Sequence, residues 1–283
     1  MPQTTIKTYY SYYSLPHMAQ VATLPLMRFE SELIRSCRVR LGRRILVVGC
    51  GPGREARALA ELGYQVTGVD CSPDMILTAV GMSRQPENIS FCVADGQALP
   101  FPADSFDAVV LFNILSNYPD DPVGRKIKGN MLSECRRVVK KGGMLLFWVW
   151  GRFSRVVLVF YKLMAFPLAA VFQERYLCLL LGYPFAKMAL KQRLRIQRQE
   201  LRYLWKINDG RRSVENVRGG HDESWNGEFM AHRYSRKDLA HEITSRGWSD
   251  FWCVSSLDLS SSPRWPSAWT SFFLCGRAFK SAV

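Results

Sequence analysis

The 283-residue chain has few histidines, four in all, and its eight cysteines are scattered along the sequence. No two cysteines form a C-x-x-C pair, and no His/Cys cluster has the spacing of metal ligands. The sequence therefore predicts no structural zinc and no bound metal. Scattered single cysteines are typical of a reducing compartment.

Long apolar runs are also missing. Residues 1–14 lack the apolar core of a signal peptide. The longest apolar stretch, Val156–Phe172, contains Lys162 and Pro167 and is shorter than the roughly twenty residues that span a bilayer. We therefore expect a cytoplasmic protein. A hydrophobic content of 48% argues against extensive disorder, and the chain is long enough for one large domain or a core with a cap.

A glycine-rich turn follows the first apolar run of the chain. The run Ile45–Val48 leads into Gly49-Cys50-Gly51-Pro52-Gly53, then a helix-like segment, Arg54–Leu62, and a second apolar run that ends at Asp70. This order predicts a parallel strand, a tight turn, a helix N-terminus and a second strand closed by a carboxylate, which together bind a nucleoside-bearing cofactor.

The spacing of these glycines bears on which anion the helix N-terminus would hold. A dinucleotide pyrophosphate expects G-x-G-x-x-G, whereas this chain has G-x-G-x-G with Arg54 at the position of the third glycine. A bulky arginine there would crowd the contact between helix and strand. The alternative anion is the methionine carboxylate of S-adenosylmethionine, and Asp70 fits the ribose hydroxyls of either ligand.

Three further motifs follow in order. They are Asp95-Gly96 with Leu99-Pro100-Phe101, then Ser105-Phe106-Asp107, then Lys140-Lys141-Gly142-Gly143 before another apolar run. With these motifs, residues 44–149 strongly resemble the class I S-adenosylmethionine-dependent methyltransferases, particularly the branch that methylates small molecules, quinones and lipids. The resemblance implies an α/β fold: a doubly wound, mostly parallel seven-stranded sheet (a Rossmann-like methyltransferase fold) with a helical insertion between strands 5 and 6.

The resemblance also implies the residues that bind S-adenosylmethionine. Glycines would line its methionine and ribose part, acids would bind the ribose hydroxyls and the adenine amino group, and one amide would lie near the transferred methyl. In chain order these residues are Gly49, Gly51, Gly53, Asp70, Cys71, Asp95, Gly96 and Asn113. One position departs from the family pattern, because Val47 stands where an acid commonly helps to hold the amino group of the cofactor.

Four regions are expected. They are an N-terminal arm and helix (1–43), an S-adenosylmethionine-binding core (44–150), a basic apolar helical insertion or cap (151–230), and the C-terminal part of the core sheet (231–283). The last region is predicted to contain a helix over 235–246 and strands over 250–256 and 270–277.

The predicted insertion concentrates the basic charge of the chain. The whole chain carries +14, and residues 151–218 hold fourteen Lys or Arg against four Asp or Glu. Three interpretations stay open: a cap packed on the core, a surface that rests on an anionic membrane and admits a lipid-like acceptor, and a nucleic-acid-binding surface. Long aliphatic runs among the basic residues make nucleic acid the weaker hypothesis.

Methyl transfer requires mainly that donor and acceptor are held in line, and an oxygen nucleophile would also need a general base. The catalytic residues are not identified by the sequence, and the candidates are His221, His232, Tyr234 and Tyr118. We therefore expect an S-adenosylmethionine-dependent methyltransferase with a small, hydrophobic or membrane-proximal acceptor. The alternatives are an RNA methyltransferase and a non-catalytic S-adenosylmethionine-binding protein.

Overall fold

The computed structural model of the protein describes residues 22–23, 25–38, 40–83, 87–151, 216–218, 230–232, 234–255 and 273–281. Its strands are β1 (Arg44–Val48), β2 (Gln65–Asp70), β3 (Ile89–Val93), β4 (Phe106–Phe112), β5 (Val139–Trp150), β6 (Asn216–Arg218), β7 (Met230–His232), β8 (Trp248–Ser255) and β9 (Phe273–Lys280). Its helices are α1 (Arg28–Cys37), α2 (Arg54–Glu61), α3 (Pro73–Met82), α4 (Pro122–Val138) and α5 (Arg236–Thr244), with a short 3₁₀ turn at Leu115–Asn117.

Seven strands form one sheet in the order β3-β2-β1-β4-β5-β9-β8. The first five pair in parallel, β9 runs antiparallel to β5, and β8 runs antiparallel to β9. The predicted mostly parallel seven-stranded sheet is therefore confirmed. Its carboxyl edge has a topological switch point between β1 and β4, because the chain continues outward from these two neighbours in opposite directions.

Both faces of the sheet are covered. One apolar layer packs α4 and α5 against the sheet, with Leu132 and Leu239 fully buried, and the other packs α1 and α2, with Leu33 and Leu59 fully buried. Successive residues of β1 alternate between these layers, as expected for a strand covered on both sides.

The C-terminal elements were predicted with shifted bounds. The strand expected over 250–256 is β8, which begins at Trp248, and the strand expected over 270–277 is β9, which ends at Lys280. Helix α5 begins after Ser235, whose hydroxyl accepts a hydrogen bond from the Asp238 N–H at 3.1 Å. The short antiparallel pair of β6 and β7 was not predicted.

Most of the predicted helical insertion, residues 152–215 and 219–229, lies outside the described residues, so its helical character stays a prediction. Within the part of the chain that the structure describes, none of the helices is both long and apolar enough to cross a bilayer.

Candidate active site

The glycine-rich turn lies at the carboxyl end of β1. Gly49, Gly51 and Gly53 all have positive φ angles, of 67°, 50° and 84°. A Cβ on Gly49 would lie 2.3 Å from Cδ1 of Ile114, so glycine is required for the close approach as well as for the backbone angle. Gly53 is the residue that precedes α2, which leaves the first N–H groups of that helix directed toward the crevice.

Asp70 links the turn to the next strand. Its Oδ2 accepts a hydrogen bond from the Gly51 N–H at 2.9 Å, and its Oδ1 accepts one from the Ser72 N–H at 2.9 Å. Burial raises the pKa of Asp70 above its usual range, and these N–H donors oppose the shift. Cys71 follows Asp70 and is partly exposed. The carboxylate thus holds the turn in shape at the edge where a ribose would bind.

The Asp95-Gly96 turn lies beyond β3. Asp95 Oδ1 accepts a hydrogen bond from the Gln97 N–H at 3.0 Å, which closes a tight turn. A Cβ on Gly96 would lie 3.1 Å from Cγ1 of Val48, so the turn packs directly on the end of β1. The loop that follows is fixed by α4, where Glu134 Oε2 accepts the Leu99 N–H at 2.9 Å.

Asn113 ends β4 on the other side of the switch point. It has a φ of 56°, and its N–H donates to the Trp148 carbonyl at 2.8 Å. Its side-chain Oδ1 is buried and has no hydrogen-bond partner among the described residues. The next residue, Ile114, packs against Gly49, so Asn113 is adjacent in the chain to a residue that contacts the glycine-rich turn.

Tyr118 belongs to the same group of residues. It is 8% exposed, and its pKa is raised by burial and then by electrostatic interaction with Cys71, Asp95 and Asp70. The phenol therefore lies close to the residues expected to bind the cofactor. Its carboxylate neighbours make it a hydrogen-bond donor there rather than a phenolate.

A buried ion pair anchors the start of α2, directly after the glycine-rich turn. Glu30 of α1 is fully buried, and its Oε1 accepts hydrogen bonds from Arg54 Nη2 at 2.7 Å and Trp148 Nε1 at 2.9 Å. Arg54 also donates to Glu55 Oε1 at 2.6 Å. The arginine expected to crowd the contact between helix and strand is thus accommodated by two carboxylates, and it joins the first turn of α2 to α1 and β5.

Val47 is 2% exposed and packs in the same apolar layer as Phe29 and Trp148. The carboxylate that lies against this layer comes from Glu30, which sequence reasoning missed. No local pattern marks it, since a lone glutamate in an amphipathic helix normally indicates the solvated face.

Two of the other candidate catalytic residues, His232 and Tyr234, form a second group. His232 and Tyr234 are 3% and 1% exposed, and their ring centroids lie 4.1 Å apart at an interplanar angle of 89°. The Tyr234 N–H donates to the Trp150 carbonyl at 2.8 Å, which places this group past the end of β5. His221 lies outside the described residues.

In the part of the chain that the structure describes, no three or more His, Cys, Asp or Glu side chains are grouped so that they could hold a metal ion. The cysteines described there are all free thiols.

Comparison with protein families matches residues 46–147 to a family described as "Methyltransferase domain". This match confirms the resemblance over the glycine-rich turn, Asp70, Asp95 and β4. Among curated proteins, the chain is 36% identical over 125 residues to a demethylmenaquinone methyltransferase of Tropheryma whipplei, covering 44% of this chain and 49% of that protein.

Two further relatives match a similar region. A 2-methyl-6-phytyl-1,4-hydroquinone methyltransferase of Synechocystis sp. is 37% identical over 112 residues, 39% of this chain and 33% of that protein. A ubiquinone biosynthesis O-methyltransferase of Coxiella burnetii is 35% identical over 107 residues, 38% of this chain and 43% of that protein. The chain thus matches half or less of the length of each of these relatives.

Solved structures share the fold over a longer span. A SAM-dependent methyltransferase from Methanosarcina mazei superposes with a TM-score of 0.56 at 20% identity, covering 92% of this chain and 100% of that one. A SAM-dependent methyltransferase from Mesorhizobium loti gives 0.53 at 17% identity, covering 89% and 97%. At these identities the likeness establishes the fold alone.

Proposed function

We propose that the protein transfers a methyl group from S-adenosylmethionine to a small hydrophobic acceptor, because residues 46–147 match a methyltransferase domain. The sulfonium of the donor supplies an activated methyl group, which an acceptor nucleophile takes in an in-line displacement. What the protein must provide is therefore alignment of the two reactants, exclusion of water and, for a hydroxyl acceptor, a route for the proton.

The observation that carries this proposal is the pairing of Gly51 with Asp70 at the switch point. The absence of a Cβ at Gly49 lets Ile114 pack against the turn, and the N-terminus of α2 favours a carboxylate. Asp70 is already oriented by two N–H donors, and a carboxylate can accept further hydrogen bonds from two ribose hydroxyls. Tyr118, Asp95 and Gly96 complete a region suited to the nucleoside.

The donor also carries an ammonium group, for which Val47 supplies no acid. The buried Oδ1 of Asn113 can accept a hydrogen bond and has no partner among the described residues. Asn113 follows β4 and precedes Ile114, the residue that packs against Gly49. We assign this oxygen to the ammonium of the donor, because a charge-assisted hydrogen bond would satisfy an otherwise unpaired buried acceptor.

The hydrophobic acceptor follows from the relatives, whose names specify quinone-type substrates. Acceptors of that kind are held in membranes, and the basic apolar segment 151–206 has the composition of a surface that binds anionic lipid. The intact protein should sediment with anionic vesicles at low salt, and Ser at Leu190, Leu194 and Leu201 should abolish this. Unchanged sedimentation of that variant would contradict the membrane role, and salt-sensitive RNA binding would favour a nucleic-acid partner instead.

The donor assignment is tested by calorimetric titration of S-adenosylmethionine and S-adenosylhomocysteine into the purified protein. We expect micromolar binding that falls at least tenfold in Asp70→Ala and stays within twofold in Glu61→Ala, an exposed acid at the end of α2. Absence of binding to folded wild-type protein would overturn the proposed function. Binding that is indifferent to Asp70 would overturn the site.

A further inference from the structure

A second group of ionisable side chains is buried next to the candidate donor site. It consists of Lys128 of α4, His232 of β7, Tyr234 and Glu242 of α5, here called the acceptor-side cluster. Lys128 is 0% exposed. Its Nζ lies 3.6 Å from Glu242 Oε2 and 5.1 Å from the centroid of the Tyr234 ring.

The position of this cluster follows from three backbone contacts. The Tyr234 N–H donates to the Trp150 carbonyl, and Tyr234 forms a parallel bridge with Gly151. The Trp150 N–H in turn donates to Ser116 Oγ at 2.9 Å. Ser116 lies in the 3₁₀ turn three residues after Asn113, so the cluster borders the turn that leaves the switch point. An acceptor approaching the donor methyl from this side would meet it.

The hydrogen bonding of the cluster is incomplete. Among the described residues, neither Lys128 Nζ nor Tyr234 Oη has a hydrogen-bond partner, although both atoms are buried. Leaving such groups unpaired costs on the order of 1–3 kcal/mol each, and more for a charged group. A purely structural core would be cheaper with apolar side chains at both positions. Lys128 is held by its ion pair with Glu242, but at 3.6 Å this leaves the ammonium without a hydrogen bond to the described residues. An oxygen placed between Lys128 Nζ and Tyr234 Oη would accept from both donors.

The charges around the cluster indicate which class of acceptor molecule could supply that oxygen. Lys128 faces Glu242 and, farther away, Asp120 and Arg125, while burial lowers its pKa and Glu242 opposes that shift. Burial raises the pKa of Tyr234, as do Glu242, Asp120 and Asp238, so the phenol keeps its proton. An ammonium and a phenol both donate hydrogen bonds. A cationic amine brought to the same place has no lone pair with which to accept from either donor, and the Glu242 carboxylate beside it is already paired with Lys128.

We propose that Lys128 and Tyr234 together bind a hydroxyl or carbonyl oxygen of the methyl acceptor, so that the protein selects oxygen-bearing rings over cationic amines. This inference rests on the proposed function and narrows its substrate class. The cluster is covered by neighbouring side chains in the structure, so these must move when an acceptor binds. Once reached, both donors act in a water-poor environment where a hydrogen bond to oxygen is strengthened.

The test compares two probes of similar size on protein saturated with S-adenosylhomocysteine: 4-butylphenol and 4-propylbenzylamine, which is cationic at pH 7.5. Calorimetry should show that the phenol binds at least tenfold more tightly than the amine. Equal or tighter binding of the amine would overturn the proposal, as would absence of phenol binding at millimolar concentration. Failure of S-adenosylhomocysteine to bind would instead overturn the proposed function, so the two failures are distinguishable.

Two substitutions test whether Lys128 and Tyr234 bind the oxygen of the acceptor, and a third serves as the control. Lys128→Met and Tyr234→Phe should each weaken 4-butylphenol binding about tenfold while leaving the affinity for S-adenosylhomocysteine within twofold. Lys126→Met, which changes an exposed lysine of the same helix, should leave both affinities unchanged. If Lys128→Met does not fold, Tyr234→Phe still decides, since it removes only one hydroxyl. Phenol affinity within twofold of wild type in the folded variants would overturn the proposal.

Discussion

Arg54 Nη2 lies 2.7 Å from Glu30 Oε1, in an ion pair whose two side chains are 9% and 0% exposed. The pair joins α1 to the first turn of α2, the turn that follows the glycines of the candidate donor site. Trp148 Nε1 donates to the same oxygen, and the Met27 N–H donates to Glu30 Oε2 at 2.7 Å. Removal of Glu30 would therefore leave two buried donors without their acceptor and weaken the pairing of Arg54.

We expect Glu30→Ala to lower the free energy of unfolding by about 3 kcal/mol, because breaking a buried pair leaves an uncompensated charge. Glu30→Gln should cost less, since its amide oxygen can still accept from Trp148. The measurement is urea denaturation monitored by tryptophan fluorescence. Glu32→Ala is the matched control on the same helix, since Glu32 pairs at 3.6 Å with an Arg35 that is 74% exposed. A loss below 1 kcal/mol in Glu30→Ala would contradict the prediction.

The local parts of the donor site could be predicted from the sequence because their signals are contiguous. The Gly49–Gly53 turn needs positive φ angles that mark glycine directly, Asp70 is the last residue of β2, and Asp95 follows β3 by two residues. Glu30 could not be predicted in this way. Its partner Trp148 is 118 residues away, so nothing near Glu30 in the chain shows that its carboxylate is buried.

Lys128 was missed for the same physical reason. It lies in an amphipathic helix, where a lysine normally indicates the solvated face, and Glu242, which makes its burial possible, belongs to α5. The bounds of β8 and β9 were misplaced by two or three residues because they are set by the antiparallel pairing Trp248↔Lys280, which the local pattern does not encode.

The assignment of Asn113 predicts a selective loss of affinity. Asn113→Gly keeps the backbone angle of 56° but removes the amide oxygen. We expect S-adenosylhomocysteine to bind about tenfold more weakly, as for the loss of one hydrogen bond to a charged group. Binding of 5′-methylthioadenosine, which lacks the amino acid part, should stay within twofold. Equal losses for both ligands would show that Asn113 does not bind the ammonium.

The contacts of Asp107, which lies at the opposite edge of the sheet, predict that the stability of the fold depends on pH. Its Oδ2 accepts the N–H groups of Arg43 and Arg44, both at 2.8 Å, and its Oδ1 lies 2.6 Å from Lys140 Nζ. Partial burial favours the protonated acid, but the donation from Arg44, Lys140 and Arg43 outweighs it and lowers the pKa of Asp107. A carboxyl whose pKa is lower in the folded protein stabilises the fold above its unfolded pKa.

The stability difference between wild type and Asp107→Asn should therefore be largest near pH 7. It should shrink as the pH falls below about 4, where the carboxyl of the unfolded chain takes up a proton, and be lost below the lowered pKa of the folded protein. Urea denaturation at pH 7, 5 and 3.5 measures it. Lys140→Met, which removes one of the three partners, should keep part of this dependence. A difference that is constant or grows toward low pH would contradict the lowered pKa of Asp107.

Alanine substitutions at Gly49 and Gly63 distinguish the cost of backbone strain from the cost of a steric contact. Both have positive φ, of 67° and 91°, but a Cβ on Gly63 meets nothing within 4 Å, whereas on Gly49 it would lie 2.3 Å from Ile114 Cδ1. Gly63→Ala should cost only the strain, about 1 kcal/mol, and leave S-adenosylhomocysteine binding unchanged. Gly49→Ala should cost about 2–3 kcal/mol and weaken that binding, since Ile114 must move beside Asn113.

A double-mutant cycle with Ile114→Ala tests the cause. If the added methyl group acts through Ile114, Gly49→Ala should cost about 1–2 kcal/mol less in the Ile114→Ala background than in the wild type. The remaining cost should then match that of Gly63→Ala. Additive effects of the two substitutions would show that the strain at Gly49 alone explains the loss. Equal costs of Gly49→Ala and Gly63→Ala in the wild-type background would rule out the contact from the start.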